Sequence, residues 1–194
     1  MSPLVIVAGM GRCGSSLMMQ MLDAGGLRCA GTAPMFEEEG LLPGATLTAE
    51  WCARFDAVKL LHPHAFTYPD GLDALVVWMD RHPEQQAMSQ IKLIRHTSPE
   101  VLGEISDDDA IASIVTVLAD HRRLARSSLA RFPFYSVRFE RLIEAPGPAT
   151  HLVIRRIAKH IGRSVDAAAM LSVVAARSPE CAPGLEPALM RRIP

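Results

Sequence analysis

The stretch that decides the fold lies near the start of the sequence, at residues 4–16. It reads Leu4-Val5-Ile6-Val7-Ala8-Gly9-Met10-Gly11-Arg12-Cys13-Gly14-Ser15-Ser16. Its first five residues form a continuous apolar run, which is typical of a central strand covered on both faces. The glycines indicate a tight turn, and Ser15 and Ser16 are residue types that cap helices well. The stretch therefore predicts a strand, a glycine loop and a helix.

Strand and helix patterns alternate along the rest of the chain. The first helix is predicted to end at Gly25-Gly26, and a loop rich in glycine, proline and glutamate follows over 31–44. Further strands are predicted at 57–61, 75–79 and 134–139, and helices at 47–55, from Pro83, from Ser106 to about Arg131, at 148–161 and at 166–177. The alternation predicts one domain over residues 1–194, a three-layer α/β sandwich with a mostly parallel central sheet. Ligands of such folds bind beyond the carboxyl ends of the strands.

Composition and charge exclude several classes of protein. The 194 residues are 49% hydrophobic and 21% charged, which is enough apolar material for a buried core. Lys and Arg total 20 against 21 Asp and Glu, so the chain lacks the positive field of a nucleic-acid binder. The four cysteines form no metal-ligand pair, and the apolar runs are shorter than the roughly 20 residues that span a bilayer. We expect a soluble, cytoplasmic protein with no nucleic-acid or membrane partner.

The glycine loop is suited to binding an anion. It satisfies two patterns, the G-x-G-x-x-G of dinucleotide-binding folds and the G-x-x-x-x-G of P-loops followed by two hydroxyl residues. Backbone N–H groups of such a turn, with the positive end of the following helix, hold phosphate oxygens. A tight turn with no ligand is the structural alternative.

Neither of the two common loop types fits without exception. A nucleoside triphosphatase needs Lys where Ser15 stands, and Arg12 is the one substitute in view. A dinucleotide-binding fold needs an acid after its second strand. Residues 27–32 offer none, and Glu37 lies beyond Pro34 in the loop. A nucleoside triphosphatase is therefore disfavoured, and a dinucleotide-binding fold stays open as a weaker alternative.

Three segments resemble those of sulfotransferases that use 3′-phosphoadenylyl sulfate (PAPS), in particular short bacterial members. Residues 12–17 are similar to the family's 5′-phosphosulfate loop, with a basic residue two before the last glycine and a hydroxyl pair after it. Residues 76–89 are similar to its 3′-phosphate segment, in which Arg81 ends a strand and Ser89 follows eight residues later. Residues 136–142 with Pro146 are similar to a third segment. Cys13 departs from the usual Ser or Thr, and Arg191-Arg192 is the one candidate for the family's C-terminal basic segment.

The resemblance implies a P-loop-like fold and a reaction. A sulfuryl group would pass from PAPS to a hydroxyl or amine of a small-molecule acceptor, releasing 3′-phosphoadenosine 5′-phosphate (PAP), with no metal expected. The nucleotide-binding residues that it implies are Arg12, Cys13, Gly14, Ser15, Ser16, Leu17, Arg81 and Ser89. Two alternatives stay open, a non-catalytic nucleotide- or anion-binding domain and a kinase-like P-loop phosphotransferase. The oligomeric state is open as well, with a homodimer among the options.

Sulfuryl transfer needs a cation on the transferred group and a base for the acceptor proton. Arg12 is the first choice for the cation, and Lys59, which lies in an apolar strand, is a second. Glu37 is the best match to the carboxylate base of the family, while His62 and then His64 rival it as histidine bases. Cys13 as a nucleophile is the least favoured alternative, although a helix N-terminus can lower a thiol pKa.

Overall fold

The computed structural model describes residues 3–144 and 147–174. Within these ranges it contains four strands: β1 (Leu4–Gly9), β2 (Ala57–Leu61), β3 (Ala74–Asp80) and β4 (Phe134–Arg138). All neighbours pair in parallel, in the order β2-β1-β3-β4, and Val7 of the central β1 lies opposite Lys59 of β2 and Val77 of β3. The predicted parallel sheet is confirmed.

Helices follow the strands as the sequence predicts. They are α1 (Ser15–Ala24), α2 (Ala49–Cys52), α3 (Pro83–Thr97), α4 (Asp107–Ser128), α5 (Phe139–Glu144), α6 (Pro148–Ile161) and α7 (Ala167–Ser172). Short 3-10 helices lie at Pro63–Ala65 and Pro99–Val101. None of the helices in the described ranges is both long enough and apolar enough to cross a bilayer.

The sheet separates two apolar cores, because successive side chains of a strand point to opposite faces. Val5 and Val7 of β1 face one core, which is completed by apolar residues of α1, α5, α6 and α7. Ile6 and Ala8 face the other, which includes Leu118 of α4. Every residue of β1 is buried, as expected for a strand covered on both faces. The three-layer α/β sandwich is confirmed.

The helix starts are set by local sequence. Pro83 occupies the first turn of α3, where its missing N–H costs nothing. The Ser106 side chain accepts a hydrogen bond from the Asp109 N–H at 3.2 Å, which caps α4 as predicted. The prediction that Ser15 or Ser16 caps α1 is wrong. The cap position is held by Gly14 in a left-handed conformation with no side-chain cap, and both serines lie inside the helix.

Several predicted boundaries differ from the structure. α2 covers only Ala49–Cys52 of the predicted 47–55, and β3 extends one residue beyond the predicted 75–79 at each end. β4 ends at Arg138, and Phe139 begins α5, because Phe139, Leu142 and Ile143 have the three- and four-residue spacing of a buried helix face. α4 ends at Ser128, a few residues before the predicted end. α7 covers Ala167–Ser172, and residues 175–194, with the proline-rich tail, lie outside the described ranges.

Gly14 has no room for a side chain. Its φ of +94° belongs to the left-handed region, and a Cβ built there would lie 2.3 Å from the Phe139 ring. Gly26, at the other end of α1, has a φ of +86° with nothing within 4 Å of such a Cβ. Substitutions at these two glycines therefore distinguish the cost of backbone strain from the cost of a steric conflict.

We predict that Gly14→Ala lowers the free energy of unfolding by about 2–5 kcal/mol, since a left-handed alanine costs about 1–2 kcal/mol and overpacking about 1–3. Gly26→Ala should lower the free energy of unfolding by the backbone strain alone, about 1–2 kcal/mol. Urea denaturation of both variants measures the difference. Equal losses in the two variants would show that the Phe139 contact does not restrict position 14.

Candidate functional site

The glycine loop between β1 and α1 is a tight turn in which neighbouring groups touch the backbone closely. Arg12 and Gly14 both have positive φ, at 67° and 94°. A Cβ on Gly9 would lie 2.5 Å from the Cys13 sulfur and 2.9 Å from the carbonyl oxygen of Met79. Glycine at position 9 therefore allows the loop to fold back against β3.

Side chains of α3 and of Arg81, which directly follows β3, hold the carbonyl groups of this loop. Gln86, which is fully buried, donates to the Gly11 carbonyl at 2.6 Å, and Gln90 donates to the same oxygen at 3.1 Å. Arg81 donates from Nη1 to the Arg12 carbonyl at 3.0 Å. Two successive peptide groups of the loop are thus fixed from one side.

The fixed carbonyls determine where the next N–H groups point. In a planar trans peptide the C=O and N–H directions are opposed, and the cis bond in the described chain is elsewhere, at Ala33–Pro34. The N–H groups of Arg12 and Cys13 therefore point away from Gln86 and Arg81. Successive N–H groups on one side of a turn, beside a helix N-terminus, form a concave surface that suits an anion.

Arg122 of α4 supports these groups from behind. Its Nη2 donates to the Arg81 carbonyl at 2.6 Å and to Gln86 Oε1 at 2.5 Å, and its Nη1 lies 3.5 Å from Asp80 Oδ1. The prediction of α4 from its sequence does not reveal this tertiary role of Arg122. Neither its position in a surface helix nor the spacing of Gln86 and Gln90 indicates that they meet the loop.

The residues predicted for the two phosphate ends of the nucleotide lie together. Arg12 Nε donates to Ser89 Oγ at 3.1 Å, and Arg81 is bonded to the carbonyl of the same Arg12. Arg81 is 5% exposed, and its guanidinium carbon lies 4.9 Å from the centre of the Phe139 ring. The structure therefore joins Arg12, Arg81 and Ser89 into one cationic cluster at the carboxyl end of the sheet.

Lys59 and Glu37 form an ion pair near the start of α1. Lys59 Nζ lies 3.1 Å from Glu37 Oε1, donates to Ser16 Oγ at 3.4 Å, and also contacts the Met35 carbonyl. The Lys59 side chain is buried, whereas that of Glu37 is 57% exposed. Burial lowers the pKa of Lys59, and the charge of Glu37 acts in the opposite direction. The pair places an anchored ammonium and an accessible carboxylate beside the glycine loop.

His62 lies on the other side of the sheet from Lys59. His62 directly follows β2. Leu60 of that strand packs in the core beside α4, and the ring centre of His62 lies 5.8 Å from that of His121 of α4. Burial, then the neighbouring His121 and His64, lower the pKa of His62. The side chains of His62 and Lys59, three residues apart in the sequence, therefore lie on opposite sides of the sheet.

The remaining predicted loop residues have buried side chains. Cys13, Ser15 and Leu17 are 1%, 5% and 4% exposed. Burial raises the pKa of the Cys13 thiol, which disfavours a nucleophilic role. Pro146 and Arg191-Arg192 lie outside the described ranges.

Comparison with known proteins adds a structural neighbour. No protein-family model and no curated protein matches the sequence. Among solved structures, the crystal structure of the sulfotransferase STF1 from Mycobacterium tuberculosis H37Rv is similar, with a TM-score of 0.51 and 16% identity over 93% of this chain and 75% of that one. The chain thus has a sulfotransferase-like fold, which confirms the resemblance at the level of the fold.

We predict that Glu37→Gln lowers the pKa of Lys59 further, because it removes the negative charge that favours the ammonium form. The chain has three lysines, so ¹³C-labelled lysine gives few side-chain signals to follow by NMR, with the exposed Lys92 and Lys159 as internal references. Glu38→Gln is the matched control, since Glu38 accepts from the Gly31 N–H instead. An unchanged Lys59 titration in Glu37→Gln would contradict the ion pair.

Proposed function

We propose that this chain is a sulfotransferase that transfers a sulfuryl group from PAPS to a hydroxyl or amine of a small-molecule acceptor and releases PAP. The observation that carries the proposal is the cluster of Arg12, Arg81 and Ser89 beside the fixed glycine loop. It lies at the carboxyl end of a parallel sheet, where ligands of such folds bind. The sulfotransferase-like fold agrees with it.

The nucleotide has two anionic ends, and the cluster offers groups for both. The loop N–H groups and Arg12 are suited to the 5′-phosphosulfate, while Arg81 and Ser89 are suited to the 3′-phosphate, since guanidinium groups bind phosphate oxygens in a fork. The contact between Arg12 and Ser89 brings the two subsites next to each other. Arg81 also braces the loop, so its loss would affect both subsites.

The transfer step can be written from these residues. The acceptor oxygen or nitrogen attacks the sulfur, the bond from sulfur to the bridging oxygen breaks, and PAP leaves with that electron pair. Arg12 and Lys59 would offset negative charge on the bridging and terminal oxygens as the bond breaks. The proton released by the acceptor passes to a base on the protein.

Glu37 suits the role of that base better than His62 does. Its carboxylate is exposed enough to meet an acceptor and is joined through Lys59 to Ser16 at the start of α1. His62 instead contacts His121 on the α4 side of the sheet. A carboxylate base accepts the proton late in the transfer, when the acceptor oxygen has become acidic.

We predict that PAP binds in the presence of EDTA, and more tightly than ATP or NAD, because PAP alone of the three matches both anion subsites. Calorimetric titration of the three nucleotides measures this. ATP binding as tight as PAP, or a requirement for Mg²⁺, would favour a kinase-like phosphotransferase instead.

The variant Ser89→Ala tests the 3′-phosphate subsite within the same titration. A lost hydrogen bond to a charged group is worth about 1.5–3 kcal/mol, so PAP affinity should fall about 10- to 100-fold. Adenosine 5′-phosphosulfate, which has no 3′-phosphate, should bind the variant and the wild type alike. Ser172→Ala is the control, because Ser172 lies on α7, which packs near the far end of α1. Equal losses for both ligands would assign Ser89 a structural role only.

We predict that Glu37→Gln lowers turnover about 10²- to 10⁴-fold with little change in PAP affinity, which is the usual effect of removing a positioned base. A screen of phenols, sugars, amines and hydroxylated metabolites first supplies the acceptor. Glu38→Gln controls for loss of charge in the same loop, and His62→Asn should have a much smaller effect. Full activity in Glu37→Gln with loss in His62→Asn would move the base to His62, and no active acceptor would favour a non-catalytic binding domain.

A further inference from the structure

Three histidines meet on the α4 side of the sheet, away from the groups assigned to sulfuryl transfer. The ring centres of His62, His64 and His121 lie 5.5–6.1 Å apart. One nitrogen from each ring can be chosen such that all three lie within 4.8 Å of one another. The sequence does not reveal this cluster, because His121 is far from His62 and His64 along the chain.

Three separate elements hold these side chains together. His62 follows β2, and its N–H donates to the Gly9 carbonyl at 3.2 Å. Its φ of 54° is left-handed, an uncommon conformation for a residue with a side chain. The turn is closed by a hydrogen bond from the Ala65 N–H to the His62 carbonyl at 2.9 Å, and by the Tyr68 hydroxyl, which donates to the Pro63 carbonyl at 2.7 Å. The 3-10 helix that carries His64 packs against α4.

One nitrogen of the cluster has no hydrogen-bond partner in the described part of the chain. His64 Nδ1 is buried, and no described residue donates to it or accepts from it. A buried polar atom without a partner is uncommon in folded proteins and calls for an explanation such as an ion. Bond formation with a cation would satisfy this atom.

The chemistry of the cluster selects a class of ion. Imidazole nitrogens suit zinc, copper, nickel and iron, whereas magnesium and calcium prefer oxygen ligands, and this cluster contains no carboxylate. Three protein ligands leave the fourth position of a tetrahedral ion for water or a ligand. Zn–N bonds of about 2.0–2.1 Å place the nitrogens of such a site about 3.3 Å apart, so nitrogens that lie within 4.8 Å of one another need to move closer by at most about 1.5 Å.

We propose that His62, His64 and His121 form a binding site for a divalent transition-metal ion, zinc in the first place, with three histidine ligands and one open position. The site departs from the sequence-based expectation that the protein binds no metal. It does not depend on the proposed sulfotransferase activity, because none of its three ligands belongs to the cluster of Arg12, Arg81 and Ser89 or to the pair of Lys59 and Glu37.

The experiment uses the full chain without a polyhistidine tag, stripped of metal and titrated with Co²⁺. Four-coordinate cobalt gives strong visible absorption, unlike cobalt with six ligands. We expect one equivalent to bind with that spectrum and Zn²⁺ to displace it. His121→Ala and His64→Gln should each weaken binding by at least about 100-fold, because even groups that only orient a metal ligand are worth about 10- to 100-fold.

The control variant is His151→Ala, which removes an exposed histidine of α6 and should bind cobalt as the wild type does. Circular dichroism shows whether each variant is folded. If His121→Ala does not fold, the result for His64→Gln decides the outcome. Absence of the four-coordinate spectrum in the wild type would overturn the proposal. An affinity unchanged in the folded variants would also overturn it and leave the three histidines as packing residues.

Discussion

Hydrogen bonds to the carbonyl groups of the glycine loop are the constraint on which the site depends. Gln86 and Arg81 hold the loop from one side, so its N–H groups are turned to the other. These donors are buried and are themselves held by Arg122 of α4. The proposed anion site is thus ordered before a ligand binds, because the cost of ordering the loop is met during folding.

The alternation of side chains along β2 divides the carboxyl end of the sheet into two chemically different sides. Lys59 points to the α1 side, where it pairs with Glu37, and His62 joins the histidine cluster of the α4 side. Two residues that are three positions apart in the sequence, such as Lys59 and His62, therefore need not belong to the same site. A strand reverses the direction of its side chains at each residue, and this separates the proposed transfer groups from the proposed metal ligands.

The fold was predictable from the sequence to the extent that its signals are local. The apolar run of β1, Pro83 at the start of α3 and Ser106 before α4 each act within a few residues. Lys59 and Glu37 were each predicted as site residues, but the ion pair between them was not. The roles of Gln86 and His121 were not predictable, because their partners are brought near by packing of elements far apart in the chain.

The ion pair between Lys59 and Glu37 joins a buried strand to an exposed surface loop. Its ammonium end is enclosed by the sheet, whereas its carboxylate end belongs to the surface loop of residues 31–44. Surface loops tolerate changes of length and sequence that a buried strand does not. For the proposed transfer reaction, exchange of this loop around the retained Lys59 can change the acceptor and leave the proposed nucleotide site unchanged.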